Sequence, residues 1–268
     1  MSSRRFALSL SILVVGIVAT ACVMWASQSS NGQAQLFSLR VIKSFPHDRN
    51  AYSQGLLIHE GRLLEGTGKY GESTLREVDL NSGKVLKQLD LPSSVFGEGI
   101  AIAGNRLLQL SWKSRLAFEY DQKTLEPTGK RFSYTGEGWG LTHDGKRWIM
   151  SDGTSVLRFL DTETFEEVGS VSVQNEGRRV LNLNELEFVD GQVFANIWKK
   201  DTIVRIDPKT GQVTGIINAR SIYRSNRRSH DDVLNGIAYD ADTKKLYITG
   251  KNWPRMYEVK LIAKKRRR

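Results

Sequence analysis

The sequence has almost no cysteine. Of its 268 residues only Cys22 carries a thiol, and Cys22 lies in an apolar N-terminal stretch. The rest of the chain therefore has no disulfide, no cysteine metal ligand and no thiol nucleophile. An oxidising compartment would not damage such a chain.

Familiar catalytic motifs are also missing. The sequence contains no Gly-x-Ser-x-Gly nucleophile elbow, no His-Glu-x-x-His zinc motif and no phosphate-binding P-loop. The four histidines are scattered: His59 and His143 fall at predicted hairpin tips, and we interpret His47 and His230 as solvated loop residues rather than metal ligands. A hydrolase or nucleotidase of one of these common types is not favoured.

The net charge of +10 is unevenly distributed. Arg4 and Arg5 contribute two positive charges and residues 264–268 contribute five, which leaves +3 on the rest of the chain. A net charge of +3 on the rest of the chain does not predict the strongly basic surface that nucleic-acid binding requires. We expect no nucleic-acid partner, and we interpret residues 263–268 as a solvated basic tail.

The N-terminus has the form of an export signal. Arg4-Arg5 precedes an apolar run over residues 6–21, and Ala19-Thr20-Ala21 offers a cleavage site before Cys22. This order also resembles a bacterial lipoprotein signal, and the apolar stretch is just long enough to span a bilayer. We therefore expect residues 1–26 to be a signal peptide or membrane anchor. The protein would be exported, periplasmic or extracellular, and in contact with a membrane only through this segment.

The remainder predicts an all-β domain. Residues 27–36 have the polar composition of a linker. After them no segment keeps a helical period, and short β-branched and aromatic runs alternate with turn clusters. Hairpin signals of the Asp-Gly kind recur, as in Asp144-Gly145 and Asp190-Gly191. We assign residues 37–262 to one domain.

A short motif repeats five times in this domain, at a spacing of about 40 to 50 residues, the length of a propeller blade. Each copy places a polar or indole side chain before Gly-aliphatic, or once before Glu-Leu. The copies are Gln54-Gly55-Leu56, Glu98-Gly99-Ile100, Trp139-Gly140-Leu141, Asn184-Glu185-Leu186 and Asn235-Gly236-Ile237. The period predicts a five-bladed β-propeller, and an open sandwich with the same strand count is the alternative. The fifth blade, Leu234 to Leu261, lacks an outer strand, so we expect the N-terminal strand Phe37–Lys43 to pair with it and close the ring.

Equivalent positions of successive blades converge on one axis, so the five motif side chains should meet in space. Glu98 is flanked by Gly97 and Gly99, and burial near the axis would raise its pKa into a range useful for proton transfer. The alternative is a structural glutamate that bonds backbone amides at a tight turn. Trp112 and Trp198 fall at or near corresponding positions, and they could be core residues or the walls of an aromatic pocket.

At these residues the sequence resembles the plant and bacterial type of glutaminyl-peptide cyclotransferase. The resemblance runs from about Phe45 to Leu261. It is carried by Tyr52-Ser53-Gln54-Gly55-Leu56, Phe96-Gly97-Glu98-Gly99-Ile100, Trp112-Lys113, Gly138-Trp139-Gly140-Leu141, Leu183-Asn184-Glu185-Leu186, Ala195-Asn196-Ile197-Trp198, Leu234-Asn235-Gly236-Ile237-Ala238-Tyr239 and Thr249-Gly250-Lys251-Asn252-Trp253-Pro254. It implies a five-bladed propeller and an acyltransferase without catalytic metal or other cofactor. Such an enzyme converts the N-terminal glutaminyl residue of a peptide or protein to pyroglutamate and releases ammonia.

The resemblance also implies roles for individual residues. Glu98 would hold the substrate amine, accept its proton and pass it to the leaving ammonia, and Lys251 would assist proton transfer or stabilise the oxyanion. Binding residues are implied as well: Gln54, Asn184 and Asn235 would fix the amide or the peptide carbonyl, and Trp112, Trp139 and Trp198 would wall the glutaminyl side chain. Glu185 is a weaker candidate. We expect a monomer.

Two other classes of function stay open on the residues alone. One is a propeller that only binds a peptide or sugar at its aromatic wall, since this architecture hosts many functions. The other is a metal-dependent propeller hydrolase. The predicted axial side chains include too few carboxylates for a strong divalent-ion site, which disfavours the hydrolase.

Overall fold

The computed structural model describes residues 33–223 and 229–265. Every regular element in these ranges is a β-strand, and no helix there could cross a membrane. The predicted signal segment 1–26, most of the predicted linker and residues 266–268 of the basic tail lie outside the described residues.

Blades 1 to 3 are separate four-stranded antiparallel sheets, each with its strands paired in chain order. Blade 1 contains β2 (Ser53–His59), β3 (Arg62–Thr67), β4 (Thr74–Val78) and β5 (Val85–Asp90). Blade 2 contains β6 (Gly97–Ala103), β7 (Arg106–Ser111), β8 (Leu116–Asp121) and β9 (Pro127–Ser133). Blade 3 contains β10 (Leu141–His143), β11 (Arg147–Met150), β12 (Val156–Asp161) and β13 (Glu167–Ser172).

A small hairpin precedes blade 4. It consists of β14 (Gln174–Asn175) and β15 (Arg178–Arg179). Blade 4 contains β16 (Leu183–Val189), β17 (Gln192–Ile197), β18 (Thr202–Ile206) and β19 (Val213–Asn218). Blade 5 contains β20 (Leu234–Asp240), β21 (Lys245–Gly250), β22 (Arg255–Ala263) and, from the other end of the domain, β1 (Gln35–Pro46).

The N-terminal strand closes the ring, as predicted. β1 pairs antiparallel with β22 from Phe37 opposite Ala263 to Pro46 opposite Arg255. Residues 35–38 of β1 also pair in parallel with β19, which joins blades 4 and 5 into one eight-stranded sheet. β1 begins two residues before the predicted start of the domain at 37, and β22 ends one residue after its predicted end at 262.

The turns follow from the sequence. His59 pairs with Arg62 and Val189 with Gln192, so two-residue turns join these inner strands. Their tips are Glu60-Gly61 and Asp190-Gly191, with positive φ at all four residues, as type I′ hairpins require. In the outer turns an aspartate accepts hydrogen bonds from backbone N–H groups two or three residues later, as at Asp79, Asp121, Asp161 and Asp207.

Apolar side chains fill the space between neighbouring blades. Among the described residues they form five buried clusters, one for each successive pair of blades around the ring. The cluster that joins the last blade to the first packs Ala238 and Tyr247 of blade 5 against Leu56 and Leu63 of blade 1. A continuous ring of such contacts is the packing of a closed propeller and not of an open sandwich.

The interpretation of His47 as a solvated loop residue is wrong. The side chain is buried: Nδ1 donates to the carbonyl oxygen of Trp253 at 2.6 Å, and Nε2 lies 3.0 Å from Oε1 of Glu65. Burial lowers the pKa of His47, but the Glu65 carboxylate and the hydrogen bonds outweigh it, and the pKa is raised above its ordinary value. The sequence does not reveal this pair, because ring closure alone packs the end of β1 against blades 1 and 5.

Candidate active site

Four of the five motif residues lie in the same local irregularity. The pairing of each first strand with the second shifts register at the motif: between Ser53 and Gly55, Gly97 and Ile100, Leu183 and Leu186, and Leu234 and Ile237. Such a bulge frees a side chain from the regular alternation of the strand and redirects it. Trp139, the fifth motif residue, directly precedes Gly140 and β10.

The glycine of the motif is required where neighbouring blades touch. A Cβ on Gly99 would come within 2.6 Å of the backbone nitrogen of Leu141, and a Cβ on Gly140 would overlap the carbonyl oxygen of Asn184. Only glycine permits such close backbone approach. The glycine of the polar-Gly-aliphatic pattern is therefore needed because the first strands of successive blades contact each other around the axis.

The returning strands end beside these bulges. In four repeats, the residue after the second strand donates its N–H to the carbonyl oxygen of the residue two places before the motif side chain, at 2.9 Å. These bonds run from Gly68 to Tyr52, Trp112 to Phe96, Trp198 to Asn182 and Lys251 to Val233. The same backbone bond therefore brings Trp112, Trp198 and Lys251 next to the motif residues of their own blades.

These positions enclose one cavity of about 240 Å³. Its lining consists of Tyr52, Gln54, Phe96, Glu98, Trp112, Trp139, Asn184, Trp198 and Lys251. Seven of the eight predicted site residues are in this set, and Asn235 is not. The four polar residues of this lining are buried, whereas its three tryptophans are partly exposed. Drug-sized ligands occupy roughly 300–1,000 Å³, so the cavity suits a single amino-acid side chain.

Glu98 is buried in this cavity, and its pKa is raised well above the usual range for a carboxyl. Burial is the main cause, and the nearby Glu137 carboxylate adds to it. The Lys251 ammonium and a hydrogen bond from Gln54 oppose the shift. The raised pKa makes the Glu98 carboxylate a stronger proton acceptor than an ordinary carboxylate, which suits it to proton transfer.

Lys251 is the cationic group of the cavity. Burial lowers its pKa to about 8, against the attraction of Glu98 and Asp231, which favours the charged form. Its Nζ lies 4.5 Å from the centre of the Tyr52 ring. Below pH 8 the ammonium form predominates and presents a positive charge beside Glu98.

Asn235 lies behind the cavity and contacts Gln54. Its Nδ2 donates to the carbonyl oxygen of Ser53 at 2.9 Å and to Oε1 of Gln54 at 3.3 Å. This bond turns the Gln54 amide so that its NH₂ group faces Glu98. Asn235 thus orients a cavity residue and does not line the cavity itself.

Two residues that the sequence analysis did not select, Tyr52 and Phe96, complete the aromatic wall. Phe96 packs edge-on against Trp112 at 5.5 Å between ring centres, and Tyr52 packs against Phe96 at 6.2 Å. Trp139 packs against Trp198 at 5.5 Å. Tyr52 and Phe96 each precede their motif residue by two positions. Applying the repeat to flanking positions would have found them.

Glu137 occupies the same position relative to Trp139, and it was also missed. Its Oε2 accepts hydrogen bonds from the indole nitrogens of Trp112 at 2.6 Å and of Trp139 at 2.9 Å. One carboxylate therefore holds two tryptophans from neighbouring blades. The sequence signal was the acidic residue two places before the motif, although only the folded ring shows that it reaches Trp112.

Glu185 is buried but lies outside the lining of the cavity. Its two carboxylate oxygens accept from the backbone nitrogens of Leu56, at 3.4 Å, and Ile237, at 2.9 Å. It stands where the other motifs have glycine, and it ties blade 4 to blades 1 and 5. These contacts are those of a structural residue.

Among residues 33–223 and 229–265, no group of three or more His, Cys, Asp or Glu side chains is arranged to hold a metal ion. Of the two carboxylates at the cavity, Glu98 accepts a hydrogen bond from Gln54, and Glu137 accepts hydrogen bonds from the indoles of Trp112 and Trp139.

Comparison with known proteins points to one family. The family pattern described as glutamine cyclotransferase matches residues 13–261. A glutaminyl-peptide cyclotransferase from Arabidopsis thaliana is 39% identical over 272 residues, covering 97% of this chain and 85% of the plant protein. The crystal structure of Myxococcus xanthus glutaminyl cyclase is similar with a TM-score of 0.80 and 35% identity. That match covers 87% of this chain and 100% of the Myxococcus chain.

Proposed function

The chain belongs to the glutamine cyclotransferase family, and we propose that it converts N-terminal glutaminyl residues of peptides and proteins to pyroglutamate with release of ammonia. The observation that carries this proposal is the placement of Glu98. It is a buried carboxyl of raised pKa in a residue-sized cavity, beside one cation and one oriented amide.

The reaction forms a bond between the α-amine nitrogen and the side-chain amide carbon of the same residue, and then breaks the bond from that carbon to the amide nitrogen. Glu98 as carboxylate accepts the proton that the attacking amine loses. As carboxylic acid it returns a proton to the departing nitrogen, which leaves as ammonia. The raised pKa strengthens the Glu98 carboxylate as a base for the first step, and the acid that forms then serves the second step.

Between these steps negative charge develops on the former amide oxygen. The Lys251 ammonium is the charge in the cavity suited to stabilise it. Gln54, oriented by Asn235, and Asn184 supply neutral hydrogen-bonding groups that fix the amide and the peptide carbonyl. The indoles of Trp112, Trp139 and Trp198 hold the methylene groups of the side chain. Because the reaction is intramolecular, this positioning supplies a large share of the acceleration.

The test is ammonia release from a short Gln-initiated peptide, with product identity established by mass spectrometry. Glu98→Gln keeps the size of the side chain and removes its proton transfer, so kcat should fall about 10²- to 10⁴-fold. Glu77→Gln is the matched control, because Glu77 is bonded to Arg62 in blade 1 and does not line the cavity. A chelator should leave the rate unchanged.

Each of the two alternative functions predicts a different result in this assay. A propeller that only binds peptides or sugars would release no ammonia, and Glu98→Gln would leave its ligand binding intact. A metal-dependent hydrolase would lose activity with the chelator. Full activity of Glu98→Gln would refute the assignment of proton transfer to Glu98.

We further propose export of the chain and a monomeric state. Export is supported by Arg4-Arg5, the apolar run over residues 6–21 and the small residues before Cys22. Cell fractionation and mass spectrometry of the mature N-terminus test it: a cleaved N-terminus at or after residue 22 supports a signal peptide, and an intact one supports an anchor. The molar mass of the purified protein, measured by light scattering, tests whether it is a monomer.

A further inference from the structure

We propose that the mouth of the cavity selects peptides with an acidic residue directly after the N-terminal glutamine, and that Lys113 and Lys199 recognise it. This inference rests on the proposed function and names a substrate class for the same site. It is carried by the way in which the repeat places lysines around the entrance.

The fold fixes where these lysines stand. Trp112 and Trp198 line the cavity, and each is tied by its backbone N–H to its own blade. The next residue along the chain is Lys113 in blade 2 and Lys199 in blade 4, and both are exposed. Because each lysine is exposed and directly follows a residue of the cavity wall, we infer that both adjoin the entrance.

The ammonium groups stay beside the wall. Nζ of Lys113 lies 4.0 Å from the ring centre of Trp112, and Nζ of Lys199 lies 4.5 Å from the ring centre of Trp198. Cation–π contact at an exposed site holds a lysine in place while leaving its N–H donors to water. Among the described residues the contacts of these two ammonium groups are with the indole rings and not with a carboxylate, so both are available to a ligand.

The equivalent positions of the other blades differ. Blade 1 has Lys69, whose Nζ lies 5.4 Å from the ring centre of Tyr52 but also 3.7 Å from a carboxylate oxygen of Glu72. Gly153 and Asn252 occupy the positions in blades 3 and 5. The unpaired positive charge at the entrance is therefore concentrated on blades 2 and 4.

Acidic groups near the entrance limit the range of this attraction. Glu137 is engaged by the two indoles, Asp152 accepts hydrogen bonds from Thr154, and Asp231 acts on Lys251. The lysines therefore act on a carboxylate that comes within direct reach, and not through a broad positive field. With the glutaminyl side chain inside the cavity, the following residue is the one that passes the entrance.

An exposed ion pair changes an equilibrium by roughly 1.5- to 5-fold, and the effect is screened by salt. Two lysines should therefore favour an acidic second residue by roughly 3- to 10-fold in kcat/KM at low ionic strength. The preference should appear mainly in KM, because the interaction is the same in the ground state and the transition state.

The experiment compares Gln-Glu-Ala-amide, Gln-Gln-Ala-amide and Gln-Lys-Ala-amide, which share an uncharged C-terminus. We expect the wild type to prefer the glutamate peptide over its neutral isostere and to disfavour the lysine peptide, with both differences shrinking as salt is added. In Lys113→Met/Lys199→Met, which keeps the apolar stems, the ratio of glutamate to glutamine peptide should fall to about one. Lys200→Met, at an exposed lysine next to Lys199 that lines a different cavity, should keep the wild-type ratio.

A binding measurement separates this inference from the proposed function. Indole fluorescence with pyroglutamyl-Glu-Ala-amide and pyroglutamyl-Gln-Ala-amide reports the same preference without turnover. If no Gln peptide releases ammonia, the proposed function fails. The ratio of the two binding affinities still tests whether the entrance prefers an acidic residue. Equal affinity for the two peptides in the wild type, or a preference that survives in the double variant, overturns the role of the lysines.

Discussion

The Glu137 carboxylate accepts a hydrogen bond from the indole nitrogen of Trp112 across the boundary between two blades, at 2.6 Å. The same oxygen accepts from Trp139, two residues further along the chain. Glu137 thereby couples the walls that blades 2 and 3 contribute to the cavity, and it adds negative charge near Glu98. Its contribution is that of a positioning residue.

Replacement of Glu137 should therefore reduce activity without removing a reacting group. Glu137→Ala leaves two indole N–H donors without their charged acceptor. A hydrogen bond to a charged group contributes roughly 1.5–3 kcal/mol, and because the partly exposed indoles regain hydrogen bonds to water, we expect kcat/KM to fall by about 10- to 100-fold. Glu137→Gln keeps an acceptor oxygen and should lose only a few-fold. Steady-state kinetics with one Gln peptide measure both variants. Equal rates for Glu137→Ala and wild type would show that the walls hold their positions unaided.

Lys251 should set the alkaline limb of the pH profile. Its pKa is lowered to about 8, so its positive charge is present below that pH and lost above it. A free α-amine becomes neutral over a similar range, at about 7.7–8.0, so kcat/KM should rise and then fall within a narrow interval around pH 8. In Lys251→Arg the guanidinium stays protonated, and the alkaline decline should disappear from whatever activity remains. An unchanged alkaline limb in this variant would assign the decline to another group.

Glu185 should be needed for stability and not for proton transfer. In Glu185→Gln the amide NH₂ must face one of the two backbone donors, Leu56 or Ile237, that the carboxylate now satisfies. A backbone donor left without an acceptor costs about 1–3 kcal/mol, which urea denaturation would detect. The pH dependence of the remaining activity should match the wild type. A shifted pH profile would instead bring Glu185 into the reaction.

The close approach of the blades predicts an asymmetry between two glycines. Gly140→Ala drives a methyl group into the carbonyl oxygen of Asn184, and overpacking of this kind typically costs about 1–3 kcal/mol. Gly169→Ala is the control, because its Cβ would meet only a ring carbon of Phe159 at an ordinary 3.7 Å. We expect a lower urea midpoint for Gly140→Ala and a nearly unchanged one for Gly169→Ala. Equal midpoints would mean that blades 3 and 4 separate at little cost.

Most of the fold could be predicted because the propeller is a local repeat. The motif spacing, the Asp-Gly hairpins and the missing outer strand of blade 5 are all visible along the chain, and each depends on residues close in sequence. The motif itself located four of the nine residues that line the cavity, Gln54, Glu98, Trp139 and Asn184, whereas Trp112 and Trp198 stayed open between core and wall and Lys251 was implied by the family resemblance. Tyr52 and Phe96 escaped because aromatic residues beside a strand are ordinarily core residues.

What the sequence by itself determined is the set of blades and the side chain that each presents toward the axis, since both follow from short-range periodicity. The tertiary structure alone decided which blade supports which. His47 contacts Glu65, Glu137 accepts a hydrogen bond from Trp112, and Asn235 orients Gln54 only in the closed ring. These contacts join residues on different blades or across the closure, and their distances depend on how the sheets pack, which no spacing along the chain encodes.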